Sequence, residues 1–355
     1  MRRERPLARP ARASARDVAR LAGVSTATVS RAQNAPAQVD ERTLARVRAA
    51  IAKLGYVPHG AARALRSQRS RMIGAVVPSF DYALYARTTS ALQRVLDTRG
   101  YSLVLATHSY DLATEVRVTE QLIQHGVDAF AFVGLDHDPA LYGLLARYGR
   151  PYVLTWGVDP SRLHPSIGFD NEAATHALAR WLIGLGHRRF GLISAPTEGN
   201  DRSRARGAGV RRALADAGLA LDEAHVFHGP IALASGATGL RKLMARTPRP
   251  TAVIATNDVF AVGAMMACRE LSLRVPDDVS ITGVDNTDLG ATQTPPLTSV
   301  ETPIVEIGSA AALQLVARLE GRPAELHQCL PFTLVRRGST GKPPPSNRRT
   351  MARRS

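Results

Sequence analysis

The stretch that decides the fold lies near the start of the chain, where residues 17–31 read DVARLAGVSTATVSR. Ser14 can cap a first helix here, and Gly23 breaks that helix. Ser25 can then cap a second helix that runs over residues 26–33. The apolar residues recur at a spacing that buries one face of each helix against the other. This pattern is typical of a helix-turn-helix, whose second helix enters the major groove of DNA.

The second helix would direct short side chains and one arginine outward. We expect DNA contacts from its N-terminal half and from its outer face: Ser25, Thr26, Ala27, Ser30 and Arg31. Arginine can donate two hydrogen bonds to guanine, and the methyl groups of threonine and alanine can contact thymine. A small helical hairpin that binds no DNA is the alternative.

A third helix and a linker complete this segment. Asp40 can cap a helix with Leu44, Val47, Ala50, Ile51 and Leu54 at helical spacing, and Gly55 ends it. Residues 55–71 (GYVPHGAARALRSQRSR) then read as a linker with one helical turn.

Charge is distributed unevenly along the 355 residues, whose net charge is +16. Residues 1–71 carry 16 Lys and Arg against four Asp and Glu, whereas residues 72–335 have a net charge of −3. A nearly neutral body with a cationic N-terminal segment favours a polyanionic partner and argues against the hairpin without DNA. For residues 1–13 and 338–355, an unstructured solubilising tail and a segment that binds a polyanion are equally favoured interpretations.

Composition excludes several classes of protein. With 45% hydrophobic and 21% charged residues, the chain is typical of a globular protein. It has no apolar run long enough to span a membrane and no apolar segment of a secretion signal, so we expect a cytoplasmic location. Neither Cys268 nor Cys329 belongs to a CxxC pair or lies near a histidine at ligand spacing, which argues against a disulfide framework and a structural zinc site. We also expect no cofactor.

From Met72 onward, apolar runs of strand length alternate with amphipathic helical stretches. The runs are MIGAVVP (72–78), YSLVLAT (101–107), DAFAFVG (128–134), PYVLTW (151–156), RFGLIS (189–194), TAVIAT (251–256) and DVSITGVD (278–285). Such an α/β pattern predicts doubly wound parallel sheets covered by helices on both faces. So many strands suit two lobes better than one, with a ligand bound between the lobes at the C-terminal ends of the strands.

The headpiece segment and several later segments resemble the lactose/galactose repressor (LacI/GalR) family of bacterial regulators. The later segments are IGAVVPSF, VGLDHDPALYGLL, FDNEAATHALARWLIGLGHRRFGLIS, PTAVIATNDVFAVGAM and LRVPDDVSITGVDNTD. The resemblance implies a DNA-binding headpiece and a periplasmic-binding-protein-like sensor that forms a homodimer on a palindromic operator. The predicted parts are a basic tail (1–13), the headpiece (14–57), a hinge helix and linker (58–71), the sensor (72–338) and a disordered tail (339–355). The sensor divides into an N-lobe, about 72–170 and 302–331, and a C-lobe, about 171–301 and 332–338.

The same resemblance implies roles for individual residues. Leu65 occupies the place of a leucine that wedges into the minor groove, and Arg63 would lie against the groove and backbone. Arg206 falls on the position of a ligand-binding arginine. Tyr85 and Trp156 match aromatic stacking positions, although packing in the core or an interface is the alternative for both.

The residues themselves extend this predicted effector site. Asn257, Asp258 and Asp285 follow predicted strands, where a doubly wound fold places ligand contacts. An arginine beside carboxylate and amide acceptors suits the hydroxyl groups of a carbohydrate. Asn200 and Arg202 lie in a predicted loop, and we expect Asn200 to contact the effector. Ile231 stands where several relatives place an aromatic residue, which weakens the case for a planar purine.

The sequence assigns no specific function to two further regions. Asp170 and Asn171 sit at a predicted crossing between lobes and could serve either the ligand or the crossing itself. His187, Arg188 and Arg189 are expected to form a solvated turn.

Two other functions are alternatives to a transcriptional repressor, which would be associated with the bacterial nucleoid through its DNA. A dinucleotide-dependent enzyme would need a third glycine after Gly207 and Gly209, but position 212 is arginine. A solute-binding protein for uptake would need a signal peptide and would not need a helix-turn-helix. The sequence therefore predicts a regulator and not an enzyme.

Overall fold

The computed structural model describes residues 13–57, 69–81 and 83–345. The chain divides into two compact units, residues 1–70 and residues 71–355. In the first unit, three helices are described: α1 (Ala15–Ala22), α2 (Thr26–Asn34) and α3 (Glu41–Leu54). The predicted caps Ser14, Ser25 and Asp40 are confirmed, because each side chain accepts a hydrogen bond from the backbone N–H three residues further on.

A small apolar core joins these three helices. Val18, Val29, Val47 and Ala50 are all buried there, and the half-buried Val24 packs against them. Gly23 ends α1 in the left-handed region, at a φ of 64° that glycine adopts without strain. The chain therefore turns sharply enough to bring α2 back across α1.

The second unit contains two six-stranded sheets. The first sheet has the order β11-β5-β4-β3-β1-β2 and is parallel throughout; the second has the order β12-β10-β9-β8-β6-β7 and is parallel except for β12. This confirms the predicted pair of doubly wound sheets. The strands are β1 (Met72–Val77), β2 (Ser102–Thr107), β3 (Ala129–Val133), β4 (Tyr152–Thr155), β5 (Ser166–Gly168), β6 (Phe190–Ser194), β7 (Val226–His228), β8 (Ala252–Ala255), β9 (Ser280–Val284), β10 (Thr298–Glu301), β11 (His327–Cys329) and β12 (Thr333–Val335).

Helices cover both sheets, and each sheet with its helices forms one lobe. The N-lobe is built on the first sheet and the C-lobe on the second. The chain passes between the lobes after β5, after β10 and after β11, so three segments connect them. The helices are α4 (Ala83–Thr98), α5 (Leu112–Gln124), α6 (Pro139–Arg147), α7 (Asn171–Gly184), α8 (Asp201–Asp216), α9 (Leu233–Met244), α10 (Asp258–Glu270), α11 (Asp288–Ala291) and α12 (Ile304–Leu319).

The segment after β12 differs from the sequence-based expectation. Residues 339–341, which we assigned to a disordered tail, lie against the second sheet. Ser339 is fully buried; its hydroxyl donates to the carbonyl of Ile281 at 2.6 Å and accepts from the Thr298 N–H at 2.8 Å. These paired hydrogen bonds fix the segment beside β9 and β10.

His187 is also not where the sequence suggested. Its ring is fully buried, 2.9 Å from the Thr251 hydroxyl and 2.9 Å from the carbonyl of Gly341. Burial lowers its pKa, which favours the neutral ring. The prediction of a solvated turn at His187 was wrong, because both ring nitrogens find partners far away in sequence.

Candidate functional site

The predicted DNA-contacting residues of the headpiece lie on or next to α2. Thr26, Ala27 and Arg31 are exposed, and Ser30 is half-buried. Ser25 is exposed and caps the helix, with its hydroxyl 3.1 Å from the Thr28 amide nitrogen. The helix thus turns its apolar side toward the core and leaves these groups accessible. The predicted hinge residues Arg63 and Leu65 lie outside the described residues.

In the second unit, a cavity of about 130 Å³ lies between the two lobes. All seven residues that the sequence predicted for effector binding line this cavity: Tyr85, Trp156, Asn200, Arg206, Asn257, Asp258 and Asp285. Trp156, Asn257 and Asp285 follow the C-terminal ends of β4, β8 and β9. The parallel strands therefore bring together residues that are far apart in sequence.

Arg206 is the centre of the polar network in this cavity. Its guanidinium donates from Nε to Asn171 Oδ1 at 2.8 Å and from Nη1 to the Thr256 carbonyl at 2.6 Å. Its Nη2 lies 3.4 Å from Asp285 Oδ1. Asn171 in turn donates from its amide to the carbonyl of Trp156 at 2.7 Å. The guanidinium is thus held in one orientation by the first residue of α7 and by the residues that directly follow β8 and β9.

Asp285 is the most strongly perturbed acid of the cavity. Its side chain is buried, and burial raises its pKa to about 7 although Arg206 opposes the shift. Its Oδ2 has no hydrogen-bond partner among the described residues, although the atom is buried. The backbone here has a φ of 108°, outside the usual range for a non-glycine residue. A buried acceptor without a partner at this place can receive a hydrogen bond from a ligand.

Two other residues predicted to bind the effector form hydrogen bonds within the protein. Asn257 caps α10 by accepting from the Phe260 N–H at 2.9 Å. Asp258 accepts from the Ser299 hydroxyl at 2.6 Å and from the N–H of Thr287 at 2.6 Å. Burial nonetheless raises the pKa of Asp258 to about 6. Much of the hydrogen-bonding capacity of Asp258 is therefore used within the C-lobe.

Aromatic side chains form the N-lobe wall of the cavity. The rings of Tyr85 and Trp156 meet edge to face with centroids 5.6 Å apart. The hydroxyl groups of Tyr85 and Tyr110 are 3.3 Å apart, and burial raises the pKa of Tyr85. Tyr110 was not predicted from the sequence, because it lies in a loop without a distinctive motif.

Arg202 lies in a helix of the C-lobe and not in the predicted loop. The sequence placed it in a loop, but it lies in the first turn of α8 and is buried at the cavity. Its Nη1 is 2.7 Å from Asp201 Oδ1. A side chain at Gly134 would overlap its guanidinium, so that glycine permits the close approach of the two lobes. The helix begins at Asp201 because Asn200 caps it, accepting from the Ser203 N–H at 3.3 Å.

A second contact between the lobes lies beside the cavity. Arg204 of α8 donates from both terminal nitrogens to the two carboxylate oxygens of Asp136, each at 2.6 Å. Arg204 is also bonded to the carbonyl of Thr197 at 2.8 Å. The structure therefore shows the two lobes in contact at the first turn of α8.

A helix-turn-helix headpiece followed by a two-lobed sensor with a cavity between its lobes defines a ligand-responsive regulator. Residues 14–59 match the model described as bacterial regulatory proteins, lacI family, and residues 179–340 match a periplasmic binding protein-like domain. The chain belongs to the lacI family of bacterial transcriptional regulators. No helix in the described part of the chain is long and apolar enough to cross a membrane.

Two curated relatives cover almost the whole chain. The ribose operon repressor of Escherichia coli is 34% identical over 332 residues, which is 92% of this chain and 99% of the relative. The HTH-type transcriptional repressor PurR of Pectobacterium carotovorum is 33% identical over 317 residues, 89% of this chain and 93% of the relative.

Solved structures show the same similarity. The lac repressor dimer bound to operator and the anti-inducer ONPF has a TM-score of 0.82 and 28% identity, covering 93% of this chain and 99% of that chain. A complex of the transcriptional regulator CelR with cellobiose has a TM-score of 0.70 and 31% identity, covering 92% of this chain and 100% of that chain.

Proposed function

We propose that the protein is a repressor that binds a palindromic operator as a homodimer and releases or retains it in response to a small carbohydrate. It acts in the cytoplasm, associated with the nucleoid through its DNA, and it is not an enzyme. The observation that carries this proposal is the convergence of Arg206, Asp285, Tyr85 and Trp156 on one cavity between the lobes.

The chemistry of the cavity favours a neutral, hydroxyl-bearing effector. Asp285 Oδ2 is a buried acceptor without a partner, and a sugar hydroxyl can donate to it. The edge of the Tyr85–Trp156 pair supplies an apolar surface for the carbon face of a sugar. Ile231 lines the same cavity and offers no aromatic face for a purine.

The effector would control DNA binding by favouring one arrangement of the lobes. A ligand shifts an equilibrium only by its difference in affinity for the two states. Residues of both lobes line the cavity, so a ligand there binds lobe-closed and lobe-open forms differently. We propose that this difference reaches the operator through the hinge at residues 58–71, with Arg63 and Leu65 at the DNA.

The test combines operator binding with effector binding. Fragments from beside the gene would be used in gel shifts, and a panel of sugars would be screened by thermal shift. The first sugar that stabilises the protein should change operator affinity. Arg206→Ala should still bind the operator but lose that response, whereas Arg212→Ala, an exposed arginine on the same helix, should keep it. Binding without preference for any fragment would contradict the proposal.

A further inference from the structure

A second cavity, about 280 Å³ in volume, lies on the N-lobe and shares no lining residue with the cavity between the lobes. It is formed by the end of α4, by one side of α12 and by the segment that leads from α12 to β11. Leu313 and Pro323 contribute an apolar wall, and Leu313 is 49% exposed. Its volume exceeds the 130 Å³ of the cavity between the lobes.

Gln314 gives this cavity a buried hydrogen-bond acceptor that has no donor among the described residues. Its side chain is only 3% exposed, and its Nε2 donates to the carbonyl of Glu325 at 2.6 Å. That bond fixes the orientation of the amide. Its Oε1 is buried and has no hydrogen-bond partner within the described part of the chain. Buried acceptors are almost always satisfied in folded proteins, so this oxygen is free to accept a hydrogen bond from a molecule bound in the cavity.

The charged groups of the lining favour an anion. Two arginines and one carboxylate, that of Glu325, line the cavity. Arg322 is already paired with Glu320, with its Nη2 2.6 Å and its Nε 2.9 Å from Glu320 Oε2. The backbone N–H of Arg99 donates to the Leu96 carbonyl at 2.9 Å, but its guanidinium has no ion pair or hydrogen bond to any described residue, although it lines the cavity. An unpaired guanidinium is a strong and geometrically specific partner for carboxylate or phosphate.

We propose that this cavity is a second ligand site, which binds a small hydroxylated anion. Arg99 would bind the carboxylate or phosphate of the ligand, and a hydroxyl group would donate to Gln314 Oε1. The apolar wall at Leu313 would contact the carbon skeleton. The proposal does not rest on the assignment of the cavity between the lobes, because the two cavities have no residue in common.

The first test is calorimetric titration of the full-length protein with three compounds that share a carbon skeleton. These are sn-glycerol 3-phosphate, D-glycerate and glycerol. The two anions should bind and glycerol should not, and the tighter anion identifies the ligand as a phosphate or a carboxylate. Inorganic phosphate should bind more weakly than sn-glycerol 3-phosphate, because it lacks the carbon-borne hydroxyl and the skeleton.

Three variants locate the binding. Arg99→Gln should weaken the affinity for the anions by about tenfold or more, the effect of losing a charge-assisted pair. Arg94→Gln, which changes an exposed arginine of α4 outside the cavity, should leave it unchanged. Glu325→Gln should tighten binding, because it removes the only carboxylate of the described lining. No binding of either anion, equal binding of glycerol, or full affinity in Arg99→Gln would overturn the proposal and leave a cavity filled by water.

Discussion

Asp285 shows how one buried side chain can couple a binding site to pH. Its carboxylate is removed from water, and among the described residues its one ion pair is with Arg206, at 3.4 Å. The resulting pKa of about 7 contrasts with an ordinary value of 3.8. Between these two values the unfolded chain ionises this group while the folded chain keeps it protonated. The contribution of Asp285 to stability is therefore present at low pH and is lost as pH rises toward 7.

We expect Asp285→Asn to remove this pH dependence. The thermal midpoint of the variant relative to the native protein should rise between pH 5 and pH 8, because only the native protein must ionise a buried carboxyl. An effect of about 1 kcal/mol would appear as about 1–2 °C in a chain of this length. Asp258, whose pKa is also raised, is present in both proteins, and its charge contributes to the raised pKa of Asp285.

Asp97→Asn is the matched control for this measurement, because Asp97 is exposed on α4. Its difference from the native protein should not change with pH. A constant difference for Asp285→Asn as well would show that Asp285 is already ionised at pH 5.

Arg31 is the residue of α2 from which we expect base recognition. It is exposed near the end of the helix and can present two donors to a guanine edge. Arg31→Ala should reduce operator affinity by roughly 1–3 kcal/mol and should relax the preference for the operator over random DNA. Fluorescence anisotropy with both kinds of DNA measures the two affinities. An equal loss on both would identify Arg31 as a phosphate contact.

At the scale of the element, α2 depends on its first residues both for its stability and for its proposed contact with DNA. Its Ser25 cap satisfies the Thr28 N–H at 3.1 Å, and the two hydroxyl groups are 3.0 Å apart. The helix is short, so the loss of one cap affects a large part of it. A carboxylate at this position would cap the helix equally well but would repel DNA phosphates.

Ser25→Ala should therefore destabilise α2 by about 1 kcal/mol and speed amide hydrogen exchange in this helix. Ser25→Asp should restore slow exchange, because aspartate is also a good N-cap, yet its operator affinity should stay low. The pair of variants separates helix stability from DNA contact. Normal operator affinity in Ser25→Asp would contradict the placement of Ser25 beside the DNA.

At the scale of the whole molecule, the cavity and the contact between lobes belong to the same closed arrangement. Arg204 and Asp136 form a two-pronged ion pair between the lobes, with side chains 49% and 23% exposed. Partly exposed pairs of this kind are worth up to about 1 kcal/mol. The pair can therefore bias closure without locking it.

Arg204→Ala should weaken binding of the sugar found by thermal shift by up to about fivefold, since closure then lacks this contact. Arg211→Ala is the matched control, because Arg211 lies on the same helix and pairs with Glu223 inside one lobe. Calorimetry on both variants makes the comparison. A similar loss in Arg211→Ala would show that the Arg204 effect comes from α8 itself.

The sequence by itself determined the elements whose signals are local. The caps Ser14, Ser25 and Asp40 act on N–H groups three residues away, and Gly23 ends a helix by its own conformation. The seven strands with apolar runs were equally predictable. Six of them are buried, since a strand covered on both faces must be apolar throughout, whereas the edge strand β2 is half-buried or exposed along its length. Chain order then placed the residues after β8 and β9 at one edge of a sheet.

Only the tertiary structure decided which distant groups meet. Arg206 bonds to residues 35, 50 and 79 positions away, and His187 to a carbonyl 154 positions away. The short strands β5, β11 and β12 form because neighbouring strands supply hydrogen bonds, and their own sequences are too short to indicate a strand. The unpaired oxygen of Gln314 likewise depends on how α12 packs. A periodic pattern encodes which face of an element is buried, but contacts across the fold are fixed only once the elements have packed.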